Sequence, residues 1–156
     1  MNIEERAERP CVAVSVEAPL REWGRVNALV PEVFAWLAER GIAPAGPLFY
    51  RYRVAGDMDA PFVVEVGVPV AEPAEGDDRV LAGTIPAGRY ATLTHHGHPD
   101  GLYGSITRLQ REAADQGLEW AMEGEVLAGC FEFYLTDPEV EPDMDRWSIE
   151  LAYLIR

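Results

Sequence analysis

Apolar residues in this chain change period twice, from every second position to every third or fourth and back, and a glycine stops each helical stretch. Val12, Val14 and Val16 alternate with smaller or polar residues, which predicts a first strand ending before Pro19. Over residues 23–40, Val26, Leu29, Val30, Val33 and Leu37 take the spacing of one helical face. Gly41 supplies the stop and Pro44 follows; Pro31 suits a first turn, so the well-formed helix can begin there. Residues 48–54 and 61–70 read as strands around the turn signal Ala55-Gly56-Asp57-Met58-Asp59. Residues 71–78, rich in Pro, Glu and Asp, read as a solvated connector, with a short strand over 79–85 behind it.

The pattern then recurs. Residues 89–95 are strand-like, and 99–116 read as a helix with Leu102, Ile106, Leu109 and Ala113 on one face and Gly117 as its stop. Strands are expected over 129–135 and 147–155, separated by a loop holding Asp137-Pro138 and Pro142-Asp143. The chain therefore reads as one α+β domain over residues 1–156, built from two β-α-β-β units at about 8–70 and 86–156. Two such units can pair into one antiparallel sheet with both helices on one face and a central ligand cleft between them.

The 156 residues suffice for one domain with a buried core. Against 13 Lys and Arg stand 27 Asp and Glu, a net charge of −14. Such a surface repels phosphate backbones, which excludes nucleic acid as the expected partner; the plainer role of the carboxylates is solubility. Cys11 and Cys130 lie in apolar, strand-like surroundings and are expected as buried free thiols. The first ten residues, MNIEERAERP, lack a signal-peptide core, and no apolar run reaches membrane-spanning length, so a cytoplasmic location and no membrane partner are expected. His95, His96 and His98 crowd one turn beside Asp100. Convergence of three or four ligands at about 2 Å would need an unusual loop there, so no metal and no other cofactor is expected, and His98-Pro99-Asp100 is read as a turn and cap.

Several segments resemble a known family. They are Trp36-Leu37 followed by Gly41-Ile42-Ala43-Pro44-Ala45-Gly46-Pro47, then Val66-Gly67-Val68-Pro69-Val70. Ile85-Pro86-Ala87-Gly88-Arg89-Tyr90-Ala91, His96-Gly97 and Phe131-Glu132-Phe133-Tyr134-Leu135-Thr136-Asp137-Pro138 complete the set. In this order they are similar to the GyrI-like small-molecule-binding domains, also found as effector modules of AraC-type and MerR-type multidrug regulators. The resemblance implies the duplicated fold with a central cleft and a buried glutamate, at Glu132 here, that engages lipophilic cations among aromatic rings. The DNA-binding helices of those regulators have no counterpart in the sequence, so DNA binding is not carried over.

Alternation puts Glu132 and Tyr134 on one strand face and Phe131 and Phe133 on the other. A carboxylate in that apolar strand is costly unless solvated, paired or neutralised, whereas a glutamate on a wet strand face would cost nothing. Glu150 and Glu65 hold comparable places in the last strands of the two halves and would widen an acidic cleft if they face it. Trp147, Tyr103, Tyr90 and Phe49 are candidate cage aromatics, with core packing as the plainer role, and His95 is a strand-end residue that can face a ligand.

The expected function is binding of bulky aromatic, cationic small molecules, as a sensor or a sequestering protein. The alternatives are a hydrolase of reactive cyclopropane-bearing natural products, with Glu132 and Tyr103 as the acting groups, and an acidic protein-interaction module of gyrase-inhibitor type.

Overall fold

The computed structural model describes residues 1–18, 22–53 and 62–156; the turn expected at 55–59 lies outside them. In chain order come β1 (Asn2–Arg6), β2 (Arg9–Ala18), α1 (Trp23–Asn27), α2 (Leu29–Glu39), β3 (Leu48–Tyr52), β4 (Phe62–Pro69), β5 (Leu81–Ile85) and β6 (Gly88–His96). They are followed by α3 (Leu102–Asp115), β7 (Met122–Glu123), β8 (Val126–Leu127), β9 (Cys130–Tyr134) and β10 (Ser148–Leu154). Eight strands form one antiparallel sheet in the order β1-β6-β10-β9-β3-β4-β2-β5, with β7 and β8 as a separate hairpin. The fold is α+β.

The order is symmetric about the junction of β9 and β3. On each side the first strand of a β-α-β-β run lies outermost and its second strand lies at the centre. Beyond these, β1 and β5 each pair with the first strand of the opposite run, β1 with β6 and β5 with β2. The sequence reading did not anticipate β1. Its residues, Asn-Ile-Glu-Glu-Arg, carry no alternation because it is an edge strand with four of its five positions exposed.

The helical stretch expected over 23–40 is broken at Ala28 into α1 and α2. Pro31 falls in the first turn of α2, where a missing N–H leaves no intrahelical bond unmade. Both long helices end alike. Gly41, at φ 65°, lets Ile42 N–H donate to Leu37 O at 3.0 Å and Gly41 N–H to Ala38 O at 3.2 Å. Gly117, at φ 70°, lets Leu118 N–H donate to Ala113 O at 2.9 Å and Gly117 N–H to Ala114 O at 3.0 Å. This double closure satisfies the last carbonyls and turns the chain back to the sheet.

α2 buries Leu29, Val33, Trp36 and Leu37 against Val12, Val14, Val64 and Val66 of β2 and β4. α3 buries Leu109 and Ala113, and Leu109 packs with Ala91, Leu151 and Tyr153 of β6 and β10. The helices thus cover the outer strands on one face and leave the centre, β3 and β9, open between them. The other face of the curled sheet closes on itself around Phe49, Phe131, Phe133, Tyr90 and Leu154, with no helix of the described residues over it.

Candidate functional site

Cross-strand register fixes what shares a row with Glu132. Val14 pairs with Val66, Val66 with Tyr50, Tyr50 with Glu132, Glu132 with Leu151 and Leu151 with Leu93. One carboxylate therefore sits in a row of apolar and aromatic side chains, on the face that carries the helices and in the gap between α2 and α3. Glu132 is only 3% exposed. Above it lies a cleft of about 1990 Å³ that runs from α1 and α2 across to α3.

Two phenols hold the carboxylate. Tyr52 donates its hydroxyl to Glu132 Oε1 at 2.9 Å, and Tyr134 donates to the same oxygen at 3.5 Å. Among the described residues, Arg51 Nε is the sole fully buried side-chain polar atom without a partner. The second oxygen, Oε2, has no protein partner there and so borders the cleft. No cationic side chain of the described residues pairs with Glu132. Burial pushes its carboxyl up to about 7, while the hydrogen bonds from Tyr52 and Tyr134 pull the other way. Burial likewise raises the phenols of Tyr50, Tyr52 and Tyr134, reinforced by the charge of Glu132, so these remain proton donors at neutral pH.

The aromatic wall on the α1–α2 side forms one connected stack. Trp23 lies nearly parallel to Tyr52, with centroids 5.9 Å apart at 9°, and meets Tyr50 at 6.3 Å; Tyr50 meets Tyr134 at 5.2 Å. The Tyr50 hydroxyl donates to Asn27 Oδ1 at 2.7 Å, which fixes the ring against α1.

Of the residues singled out from sequence, Glu132, Trp147 and Tyr103 line this cleft. Trp147 is half-buried and donates its indole N–H to Glu141 O at 2.7 Å, while Tyr103 stands at the mouth, 71% exposed. The other five do not line it. Phe49 pairs with Phe133 and packs on the far face of the sheet, as does Tyr90, whose hydroxyl donates to Pro86 O at 2.7 Å. Glu65 and Glu150 face that side too, bound to Arg53 Nε at 3.0 Å and Arg6 Nη1 at 2.9 Å. His95 is buried on the correct face, but its ring bridges Ser105 Oγ at 2.7 Å and His98 O at 2.9 Å, which ties the start of α3 to the sheet.

The three histidines diverge. His96 Nδ1 meets Ser148 Oγ at 3.0 Å, and His98 Nδ1 accepts from Asp100 N–H at 3.0 Å. Among the described residues no group of three His, Cys, Asp or Glu side chains could hold a metal ion.

Sequence reasoning missed Trp23, Tyr50, Tyr52, Trp120 and Tyr153, all of which line the cleft. The alternation Tyr50-Arg51-Tyr52 was a usable signal, since it puts two phenols on one strand face, but only the pairing with β9 shows that this face is Glu132's.

A deep recess between helices, over the centre of a sheet and floored by one buried carboxylate, is the architecture of a small-molecule-binding domain. The chain belongs to the GyrI-like family: the model of the GyrI-like small molecule binding domain matches residues 1–153. No curated protein matches the sequence. Among solved structures it is similar to the EcmrR C-terminal domain, with a TM-score of 0.86 and 17% identity over 99% of this chain and 96% of that one. EcmrR in its complex with DNA gives a TM-score of 0.85 at 17% identity, over 99% of this chain but only 56% of that one, so this chain spans little more than half of it. SAV2435 bound to tetraphenylphosphonium gives 0.67 at 9% identity, over 99% of this chain and 93% of that one. At such identities the likeness establishes a shared fold. No helix of the described residues is long and apolar enough to cross a membrane.

Proposed function

We propose that residues 1–156 act as a single ligand-binding domain of two repeats, about 8–70 and 86–156, that takes up bulky, aromatic, cationic small molecules with Glu132 as their counter-charge. The observation that carries this reading is a carboxylate buried to 3% exposure with phenols, and no cation of the described residues, as its partners. An uncompensated buried charge costs several kcal/mol, and a delocalised cation that enters the cleft offsets that cost by pairing with it. Tyr50, Tyr52, Tyr134 and Trp23 add cation–π attraction, about 0.5–2 kcal/mol per contact. SAV2435, which shares the fold, is a precedent for an aromatic monocation as ligand.

The test compares tetraphenylphosphonium with the neutral triphenylphosphine oxide by isothermal titration at pH 8. The cation is expected to bind at least tenfold more tightly; equal affinity would refute charge recognition.

One observation favours a second reading. A carboxyl that titrates near 7 beside a phenol can take or give a proton at neutral pH, which is what hydrolysis of a strained ring requires. The hydroxyls within reach are those of Tyr52 and Tyr134, in place of Tyr103 at the mouth. Incubation with a cyclopropane-bearing alkylator, followed by mass spectrometry, separates the two. We expect stoichiometric retention without product, whereas Glu132-dependent turnover over many cycles would establish a hydrolase.

A further inference from the structure

The cleft has two unlike halves, one on each side of Glu132. The half beneath α1 and α2 holds the stacked Trp23, Tyr50, Tyr52 and Tyr134. The half beneath α3 is lined by Leu102, Ile106, Trp120, Leu127 and Tyr153, and Trp120 meets Tyr153 edge to face with centroids 5.3 Å apart. Tyr153 pairs with Cys130 across β10 and β9, and burial raises both groups well above neutral pH, so neither brings charge into this half. Apart from Glu132, the acidic and basic residues that line the cleft, His98, Asp100, Asp137 and Glu139, are all exposed at its mouth.

Size points the same way. The cleft, at about 1990 Å³, exceeds the roughly 300–1,000 Å³ that a drug-sized ligand needs. Its mouth also carries exposed Phe34, Tyr103, Leu135 and Met144, half of the large apolar side chains exposed among the described residues. A compact cation seated on Glu132 would leave the α3 half wet. A dication would find no second buried carboxylate among the described residues, only exposed ones at the mouth.

We infer that the occupant is an elongated amphiphilic monocation, with an aromatic cationic head on Glu132 and an apolar tail laid along α3 over Ile106 and Trp120. The inference rests on the charge reading above and adds the tail. Each methylene that leaves water for this half tightens binding about threefold to fourfold, so a tail buried over even a third of a decyl chain is readily measured.

The probes are methyltriphenylphosphonium and decyltriphenylphosphonium, titrated calorimetrically at pH 8 below the aggregation concentration of the longer ion. Wild-type protein is expected to bind the decyl ion at least thirtyfold more tightly, at one per chain. Ile106→Gln should cut that preference below fivefold and leave the methyl ion within twofold. Tyr103→Ser, at an exposed position that cannot compromise folding, should lower the preference by about threefold. Glu132→Gln should weaken both ions by the same factor. Equal affinity for the two ions within threefold, with both still dependent on Glu132, would overturn the tail and leave the charge reading intact. Failure of either ion to bind, or binding of both that ignores Glu132→Gln, would overturn the charge reading and the tail with it.

Discussion

Glu132→Gln is expected to weaken binding of a dye cation such as rhodamine 6G tenfold or more, and at the same time to make the protein more stable at pH 8. The first effect follows from loss of the charge partner. Removing one member of a desolvated charge pair costs about 2–5 kcal/mol, less whatever the amide recovers. The second follows from proton linkage. The folded-state pKa of Glu132, about 7, lies above its ordinary 4.5, so the folded protein holds this proton more tightly than the unfolded chain does. The stability that this contributes is fully present below pH 4.5 and is lost as pH rises through 7. At about 1.4 kcal/mol per pH unit, the wild type gives up about 3 kcal/mol over that range. Glutamine carries no such proton. Thermal melts of the two proteins should therefore converge near pH 4.5 and separate by several degrees at pH 8, with the variant higher. Coincident melts at pH 8 would contradict a buried, ionising Glu132, and unchanged dye affinity would contradict its role as charge partner.

The second large effect is on the pH dependence of binding. A permanent cation selects the ionised carboxylate, which dominates above pH 7 and falls to about one molecule in a hundred at pH 5. Affinity for tetraphenylphosphonium, whose own charge does not vary, should drop about a hundredfold between pH 8 and pH 5. Tyr50, Tyr52 and Tyr134 stay protonated throughout, because burial holds each phenol above its ordinary range. Binding at pH 6 should release close to one proton, measurable as a dependence of the calorimetric heat on the buffer's ionisation enthalpy. A flat affinity from pH 5 to 8 would show that Glu132 is already ionised in the free protein, or that it does not meet the ligand.

Much of the fold was legible because its signals are local. The two glycine-stopped helices, the alternating strands and the duplicated order follow from side-chain period and from Gly41 and Gly117, none of which depends on distant partners. β1 was not legible, since an exposed edge strand is held by backbone bonds to β6 and needs no apolar pattern of its own. The break at Ala28 was hidden for a related reason: Val26 and Leu29 keep the apolar face across it, so the period does not show that the chain resets.

The candidate site divides along the same line. That Glu132 would be exceptional was readable, because one carboxylate stands between Phe131 and Phe133 in an apolar run. Which aromatics share its face was not. Phe49 and Tyr50 are neighbours in sequence, yet the first pairs with Phe133 on the far face and the second with Glu132 beneath the cleft. A shift of one residue between β3 and β9 would exchange them. Glu65 and Glu150 went to the far face through the same register, where arginines neutralise them. Residue type and spacing thus determined by themselves the two glycine-stopped helical stretches, the strands with an apolar alternation, the repeat and the one carboxylate out of place. Only the tertiary structure decided which side chains meet it, because strand pairing joins residues far apart in the chain and its register is set by whole-sheet packing.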